Sequence, residues 1–469
     1  MLEAGILNDR FSERRNRILQ LIKNLILIIY LLIIFEGALR KWLLPALSGP
    51  LFFIKDPLVI LIYLLAFKYK ILPKSKVYKV TIIISGLFFF AGILQMILNS
   101  LNPLVILLGF RNYFLLFPLT FFIAEHFTKN DLIRFARISC WIAIPTMFLV
   151  VAQYHSSPDA YINKNVGEGE STRIFTVVNG IVRTSGFFSF TTGHSQYVLY
   201  FIGFLFFNFF LSSREKFLSS LWYLIMLIVA VILVVYAGSR GVVANILILS
   251  FFILSASMLS INQKSSFRVL GLFFFGVIIV YFLINTFFDE NLKVLSERFE
   301  TASKQENTLY RFFSQYIEVF RSLGSNEVPI WGKGIGTGSN AGAFFMRGAR
   351  MFITAEAEWL SIMAEVGPIL GFTFILYRVW LSGSTLYRAF VVFRMKGLVI
   401  PVIFSSMVFM SFFGGQMTKQ GTEFYFAWFF MGLALAANRI YAQEENIPIA
   451  NNGVSLIREE IKYINVRRL

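Results

Sequence analysis

The stretch TAEAEWLSIMAEVGPILG, Thr354–Gly371, sets Glu356 and Glu358 just ahead of a long apolar run, with Glu365 seven residues beyond Glu358. A carboxylate at such a mouth can take the proton of an attacking hydroxyl. Arginines stand in FEGALRKWLLP (Arg40, beside Lys41), LLGFRNYFLLFP (Arg111), RTSGFFSFTTGH (Arg183) and GSRG (Arg240). Arg311 follows in a long polar segment. A guanidinium fork pairs bidentately with phosphate oxygens and can balance charge growing on a phosphate leaving group. His126, His155 and His194 lack ligand-spaced partners, and no dense Asp/Glu cluster stands near the motifs. A metal-independent reaction with no cofactor is therefore expected.

Each residue also has a plainer reading. An arginine beside a span can snorkel to a headgroup, and Glu36 and Arg40, four apart, fit a helical ion pair. Arg111 has little freedom to snorkel, and Arg240 sits in a Gly-flanked turn where backbone can approach a ligand; these two favour a ligand role. Glu356 and Glu358 could be first-turn acids favoured by the helix dipole, with Thr354 as N-cap. If one helix covered the whole stretch, Glu358 and Glu365 would share a face, and Glu365 reads as a structural residue inside the bundle. WGKGIGTGS, Trp331–Ser339, has glycine at every second position. It does not follow a strand and open a helix, so a dinucleotide fold is excluded. It reads as a tight turn, with a backbone nest for an anion as the weaker alternative.

The elements that position these residues are apolar runs. Of 469 residues, 57% are hydrophobic and 15% charged, against about 25% charged in an ordinary soluble domain. Runs of 18 or more apolar residues recur, each able to cross a bilayer core of about 30 Å as a helix. The expected fold is an all-α polytopic membrane protein, a single membrane domain over 1–469. About twelve transmembrane helices are expected, near 18–35, 52–67, 80–98, 104–123, 132–151, 195–211, 218–236, 242–261, 268–287, 359–377, 398–413 and 424–441. The charged N-terminus runs into the first of these without a small-residue cleavage site, and reads as a retained helix. The single cysteine, Cys140, cannot form a disulfide within the chain.

Charge orients the spans. Arg10, Arg14, Arg15 and Arg17 precede the first, and five lysines fall between Lys68 and Lys79. Arg134 and Arg137, Arg214 and Lys216, Lys264 and Arg268, and Arg388, Arg394 and Lys396 fall in alternate loops. This is the positive-inside pattern, with both termini cytoplasmic. It accounts for the net charge of +17 without nucleic acid. Two long segments fall outside, 152–194 and 288–358, and 443–469 is a cytoplasmic tail. Within the second long loop, Thr308–Leu323 has the spacing of an amphipathic helix. The exceptional arginines then lie at the outer boundary, where they suit a lipid-linked phosphate or pyrophosphate.

From about Glu36 to Trp428 the chain resembles the O-antigen ligase and polymerase superfamily of bacterial membrane glycosyltransferases. The resemblance rests on EGALRKWLLP, GFRNYFLLFP, RTSGFFS, GSRG, YRF…WGKGIGTGS and AEAEWLSIMAEVGPILG, in that order. It implies a C-type glycosyltransferase-like fold in the bacterial inner membrane with a periplasmic active site. It also implies an undecaprenyl-pyrophosphate-linked glycan donor, a glycan acceptor and the lipid bilayer as partners, with a chain-length regulator or export proteins as further ones. By motif position, Arg111 and Arg240 would hold the donor pyrophosphate, followed by Arg40, Arg183 and Arg311. Ligases of the family have a histidine nine residues before an E-x-G element; counted back from Glu365, that position is Glu356. The carboxylate there resembles exopolysaccharide or O-antigen polymerases more than ligases.

The implied reaction is one inverting displacement at the anomeric carbon, with Glu356 as base and Glu358 in reserve. Nearby arginines lower a carboxylate's pKa and weaken it as a base, which leaves orienting the acceptor and polarising its hydroxyl as the alternative role for Glu356. Ligation of finished polymer to lipid A-core is the alternative within the family. A polysaccharide transporter or flippase is the alternative from another class.

Overall fold

The computed structural model describes residues 2–166, 182–258, 316–317, 319, 328–339, 358–418 and 421–444, and these are helical apart from their connections. Eight helices or helix pairs among them are long and apolar enough to cross a membrane: Glu13–Leu43, Pro45–Lys68, Lys76–Leu98, Pro103–His126, Lys129–His155, Ser220–Ala237, Gly241–Met258 and Pro368–Lys396. The chain is thus a polytopic helical membrane protein. The runs at 195–211, 398–413 and 424–441 are also helical, as Thr191–Phe210, Ile400–Gly414 and Gly421–Gln443. The run at 268–287 lies outside the described residues.

The chain packs as two compact units. The first comprises Met1–Pro73, Ile133–Leu205 and Phe217–Val243; the second comprises Lys74–Leu132, Phe206–Lys216 and Ala244–Leu469. The first unit contains α1 (Leu2–Ala38), α2 (Asp56–Lys68), most of α6 (Lys129–His155) and α7 (Thr191–Phe210), and α8 (Ser220–Ala237). The second contains α3 (Lys76–Leu98), α4 (Pro103–Phe114), α5 (Phe117–His126), most of α9 (Arg240–Met258), α10 (Glu358–Val366), α11 (Pro368–Lys396), α12 (Ile400–Gly414) and α13 (Gly421–Gln443).

Local chemistry sets the helix ends. Ser75 caps α3 by accepting the Tyr78 N–H at 3.1 Å. Asn102 caps α4, with Pro103 in the first turn, where a missing N–H costs nothing. α1 does not stop at Ala38 but widens into a π-helical turn, Leu39–Leu43, which carries Arg40 and Lys41. Such turns concentrate at functional sites.

In the first unit α1 packs on α2. Tyr30 and Tyr197 both reach α6, Tyr30 at the Ser139 hydroxyl (2.5 Å) and Tyr197 at the Ser139 carbonyl (2.7 Å). Leu64 and Phe67 of α2 are exposed. In the second unit α5 packs along α13, and α11, α12 and α13 pack on one another. Thr120 of α5 donates to the Trp428 carbonyl at 2.8 Å. Ile83, Phe89 and Phe90 of α3 are exposed. Exposed apolar faces on helices whose backbone bonds are internal suit a lipid environment.

The expected span 359–377 is corrected. The helix breaks after Val366, at Gly367 (φ +84°), and restarts at Pro368. Proline disfavours helical geometry in the residue before it and brings no N–H to the ladder. The long helix then continues to Lys396, so Arg388 and Arg394 lie on a helix rather than in a loop. Within the expected amphipathic stretch Thr308–Leu323, the described residues Tyr316, Ile317 and Val319 are helical. The Tyr316 ring packs on Trp359 (centroids 4.7 Å apart) and Phe413 (5.4 Å).

Candidate functional site

Each unit holds a cluster of hydrogen-bonded polar side chains that includes motif residues. In the first, Arg40 donates from Nε to the Ser48 carbonyl at 2.8 Å and from Nη1 to Glu36 Oε1 at 3.0 Å. Lys55 pairs with the other Glu36 oxygen. This is the i, i+4 pair implied by the sequence, joined by a second cation. Lys41 is buried, and its ammonium donates to Ser185 Oγ (3.0 Å) and the Gly186 carbonyl (2.8 Å). The Gly186 N–H is taken by Gln153 Oε1 at 2.8 Å. The RTSGFFS segment is therefore tied to α1 and α6.

The same segment reaches the turn before α9. Arg183 Nη2 donates to Ser239 Oγ at 3.4 Å, and Thr184 Oγ1 donates to the Tyr236 carbonyl at 2.8 Å. Gly238 makes this turn in the left-handed region (φ +51°), and Arg240 opens α9 two residues later. A small cleft lies alongside, lined by Asn163, Asn165, Arg183, Ser185, Phe190 and Thr191, with Val182 at its edge. Arg183, and the backbone of Arg240, are thus brought together by the fold. Arg40 is held by Glu36 and Ser48, and its Nη1 also reaches Ser189 Oγ of the same segment at 3.5 Å.

The second unit holds a denser set. Glu358 is buried and paired with Arg378, Nη1 to Oε1 at 3.3 Å. Glu358 Oε1 also accepts the Thr418 N–H at 2.8 Å, while Oε2 is buried without a hydrogen-bond partner. Glu365 accepts Tyr113 OH at 2.8 Å and the Gly338 N–H at 2.9 Å, which is the structural role its position implied. Glu423 accepts the Gln416 N–H at 3.0 Å. Arg111, in the last turn of α4, donates to Asn112 Oδ1 at 2.9 Å and to Tyr425 OH at 3.5 Å.

The glycine-rich loop Trp331–Ser339 docks into this unit. Gln95 of α3 donates to the carbonyls of Trp331 and Glu365 and accepts the Ile335 N–H at 2.9 Å. The N–H groups of Lys333 and Gly334 go to the carbonyls of Ala364 and Glu365. Several amides that could have formed an anion nest are thus committed to protein acceptors, and the turn reading accounts for the loop.

Glu356 and Arg311 lie outside the described residues. Sequence reasoning passed over Arg378, Gln95, Asn112 and Tyr113. The available signal for Gln95 and Arg378 was a polar side chain inside an apolar helical pattern, which is costly unless it has a task. For Arg378 the pattern includes Phe374, Ile375 and Leu381, all buried with it.

Taken together, the described residues define a multi-pass helical membrane protein with buried, hydrogen-bonded charges in each unit. No protein-family model, curated protein or solved structure matches the chain.

Proposed function

We propose that the chain is a metal-independent glycosyltransferase of the inner membrane, with about twelve spans and a C-type fold. On this reading it extends or transfers undecaprenyl-pyrophosphate-linked oligosaccharide repeats at the periplasmic face. The observation that supports it is the meeting, in the first unit, of Arg183 with the GSRG turn beside a polar cleft. Two motifs far apart in sequence, each with an arginine, share one place there. Arg183 and Arg240 are assigned to the donor pyrophosphate. Arg111, Arg311 and Glu356 carry their assignments from the resemblance. Arg40 is given a structural role beside Glu36, and Glu358 the role of counter-ion to Arg378.

The acceptor hydroxyl attacks the anomeric carbon, the bond to the pyrophosphate oxygen breaks, and undecaprenyl pyrophosphate leaves. The hydroxyl proton passes to the Glu356 carboxylate. Arginine forks balance the charge left on the leaving group. Removing a general base lowers turnover about a hundredfold or more, so Glu356→Gln should do so at unchanged membrane levels. Full turnover would remove Glu356 from the chemistry. Arg240→Ala should weaken donor use, and normal turnover at low donor concentration would remove Arg240 from the site.

A second reading is transport, favoured by the buried charges of the second unit. Against it, each of the three Arg378 nitrogens is already engaged by backbone carbonyls or Glu358. Glycan extension by the purified protein, with no gradient across any membrane, separates the two readings.

A further inference from the structure

Arg378 is buried ten residues into α11, about 15 Å from the helix start, and the proposed chemistry does not use it. Each of its three nitrogens donates. Nε donates to the Phe412 carbonyl at 3.1 Å, and Nη2 donates to the carbonyls of Ser411 and Gly415, each at 3.0 Å. Nη1 donates to Glu358 Oε1. These carbonyls lie in the last turn of α12 and at the Gly415 that caps it; the Gly415 N–H is shared between the Met410 and Ser411 carbonyls, and Arg378 supplies the further donors. The turn that follows is held at Gly415 by Arg378 and at Thr418 by Glu358.

The grip continues beyond Thr418. Its carbonyl accepts Asn112 Nδ2 at 3.3 Å, and Asn112 Oδ1 accepts Arg111 Nη1 at 2.9 Å. Asn112 can face only one way. A guanidinium only donates and a carbonyl only accepts, so the amide must turn Oδ1 to Arg111 and Nδ2 to Thr418. A lysine at 378 could not reproduce this fork, having a point charge in place of a planar set of donors.

We propose that Arg378, Glu358, Thr418 and Asn112 form a positioning relay that fixes the direction of the Arg111 guanidinium. Groups with no contact to the donor thereby set how well Arg111 meets an anion. An arginine held before its ligand arrives loses less side-chain freedom on binding. The consequence for affinity rests on the assignment of Arg111 to the donor pyrophosphate.

Two measurements on the full-length protein in detergent test the relay. One is the rate at which phenylglyoxal modifies Arg111, read by peptide mass spectrometry. The other is binding of undecaprenyl pyrophosphate. Arg378→Lys should speed Arg111 modification and weaken the lipid about tenfold, the scale of a lost hydrogen bond to a charged group. In an Asn112→Leu background the same change should have no further effect on the modification rate, because the link is already cut. Where Arg378→Lys fails to fold, Glu358→Asp withdraws the oxygen from Thr418 and serves in its place. An unchanged Arg111 rate in the folded variant would overturn the relay, as would additive effects in the Asn112→Leu background. If the wild type binds no undecaprenyl pyrophosphate, the donor assignment fails, and the modification rates still decide the relay.

Discussion

Glu358→Gln is expected to destabilise the second unit by about 3–5 kcal/mol, the cost of leaving a buried charge without its partner. Glutamine can still accept from Arg378 and from the Thr418 N–H, so the geometry survives while the compensation does not. Both side chains of the pair are almost wholly buried, 1% and 0% exposed, so solvent screens little of the effect. Arg378→Met should be worse. It strands the Glu358 carboxylate and removes the donor from the carbonyls of Phe412, Ser411 and Gly415. The exposed pair Arg17–Glu13, at 3.8 Å, is the control. Its loss through Arg17→Ala should change stability by about 1 kcal/mol at most. Thermal unfolding in detergent ranks the three variants. Equal midpoints for Glu358→Gln and Arg17→Ala would contradict the reading of Glu358 as a counter-ion.

Gly336→Ala carries the second large effect. Gly336 has φ +88°, and a β-carbon there would lie 2.4 Å from the Val105 carbonyl oxygen and 2.8 Å from the Gly109 backbone. These are backbone atoms of α4, so no side-chain rotation relieves the clash. A left-handed conformation costs an L-residue about 1–2 kcal/mol, and overpacking adds about 1–3 kcal/mol. The loop would lift, carrying the Gly338 N–H away from Glu365 and the Ile335 N–H away from Gln95. Gly383→Ala is the matched control, since nothing lies within 4 Å of its added β-carbon. In mid-helix it should be neutral or stabilising by up to about 1 kcal/mol. A folded Gly336→Ala protein with the wild-type unfolding midpoint would contradict the docking of this loop on α4.

Much of the helical framework was legible because bilayer thickness and hydropathy fix span length with little help from tertiary contacts. The Glu36–Arg40 pair was legible from spacing alone, since neighbours four apart on a helix meet. Arg378 was not. Hydropathy ends an apolar run at a charge, and it cannot register that Glu358 and three carbonyls of another helix satisfy that charge. The break at Gly367 moves the start of the long helix from 359 to Pro368, and the helix runs on past 377 to Lys396. Gln95 escaped notice for a related reason: its partners, at Trp331, Ile335 and Glu365, are more than two hundred residues away in sequence. In the candidate site, the sequence singled out Arg183 and Arg240 separately. Their association arises from the Thr184–Tyr236 and Arg183–Ser239 contacts, which no spacing encodes.

The purified protein, in detergent and without a gradient, is given a defined undecaprenyl-pyrophosphate-linked oligosaccharide repeat, and the products are resolved by mass spectrometry. Release of undecaprenyl pyrophosphate is expected, together with lipid-linked glycans longer by whole repeats, both reduced at low donor concentration in Arg240→Ala. A folded wild-type protein that leaves the donor unconsumed, with acceptor repeats present, would contradict it.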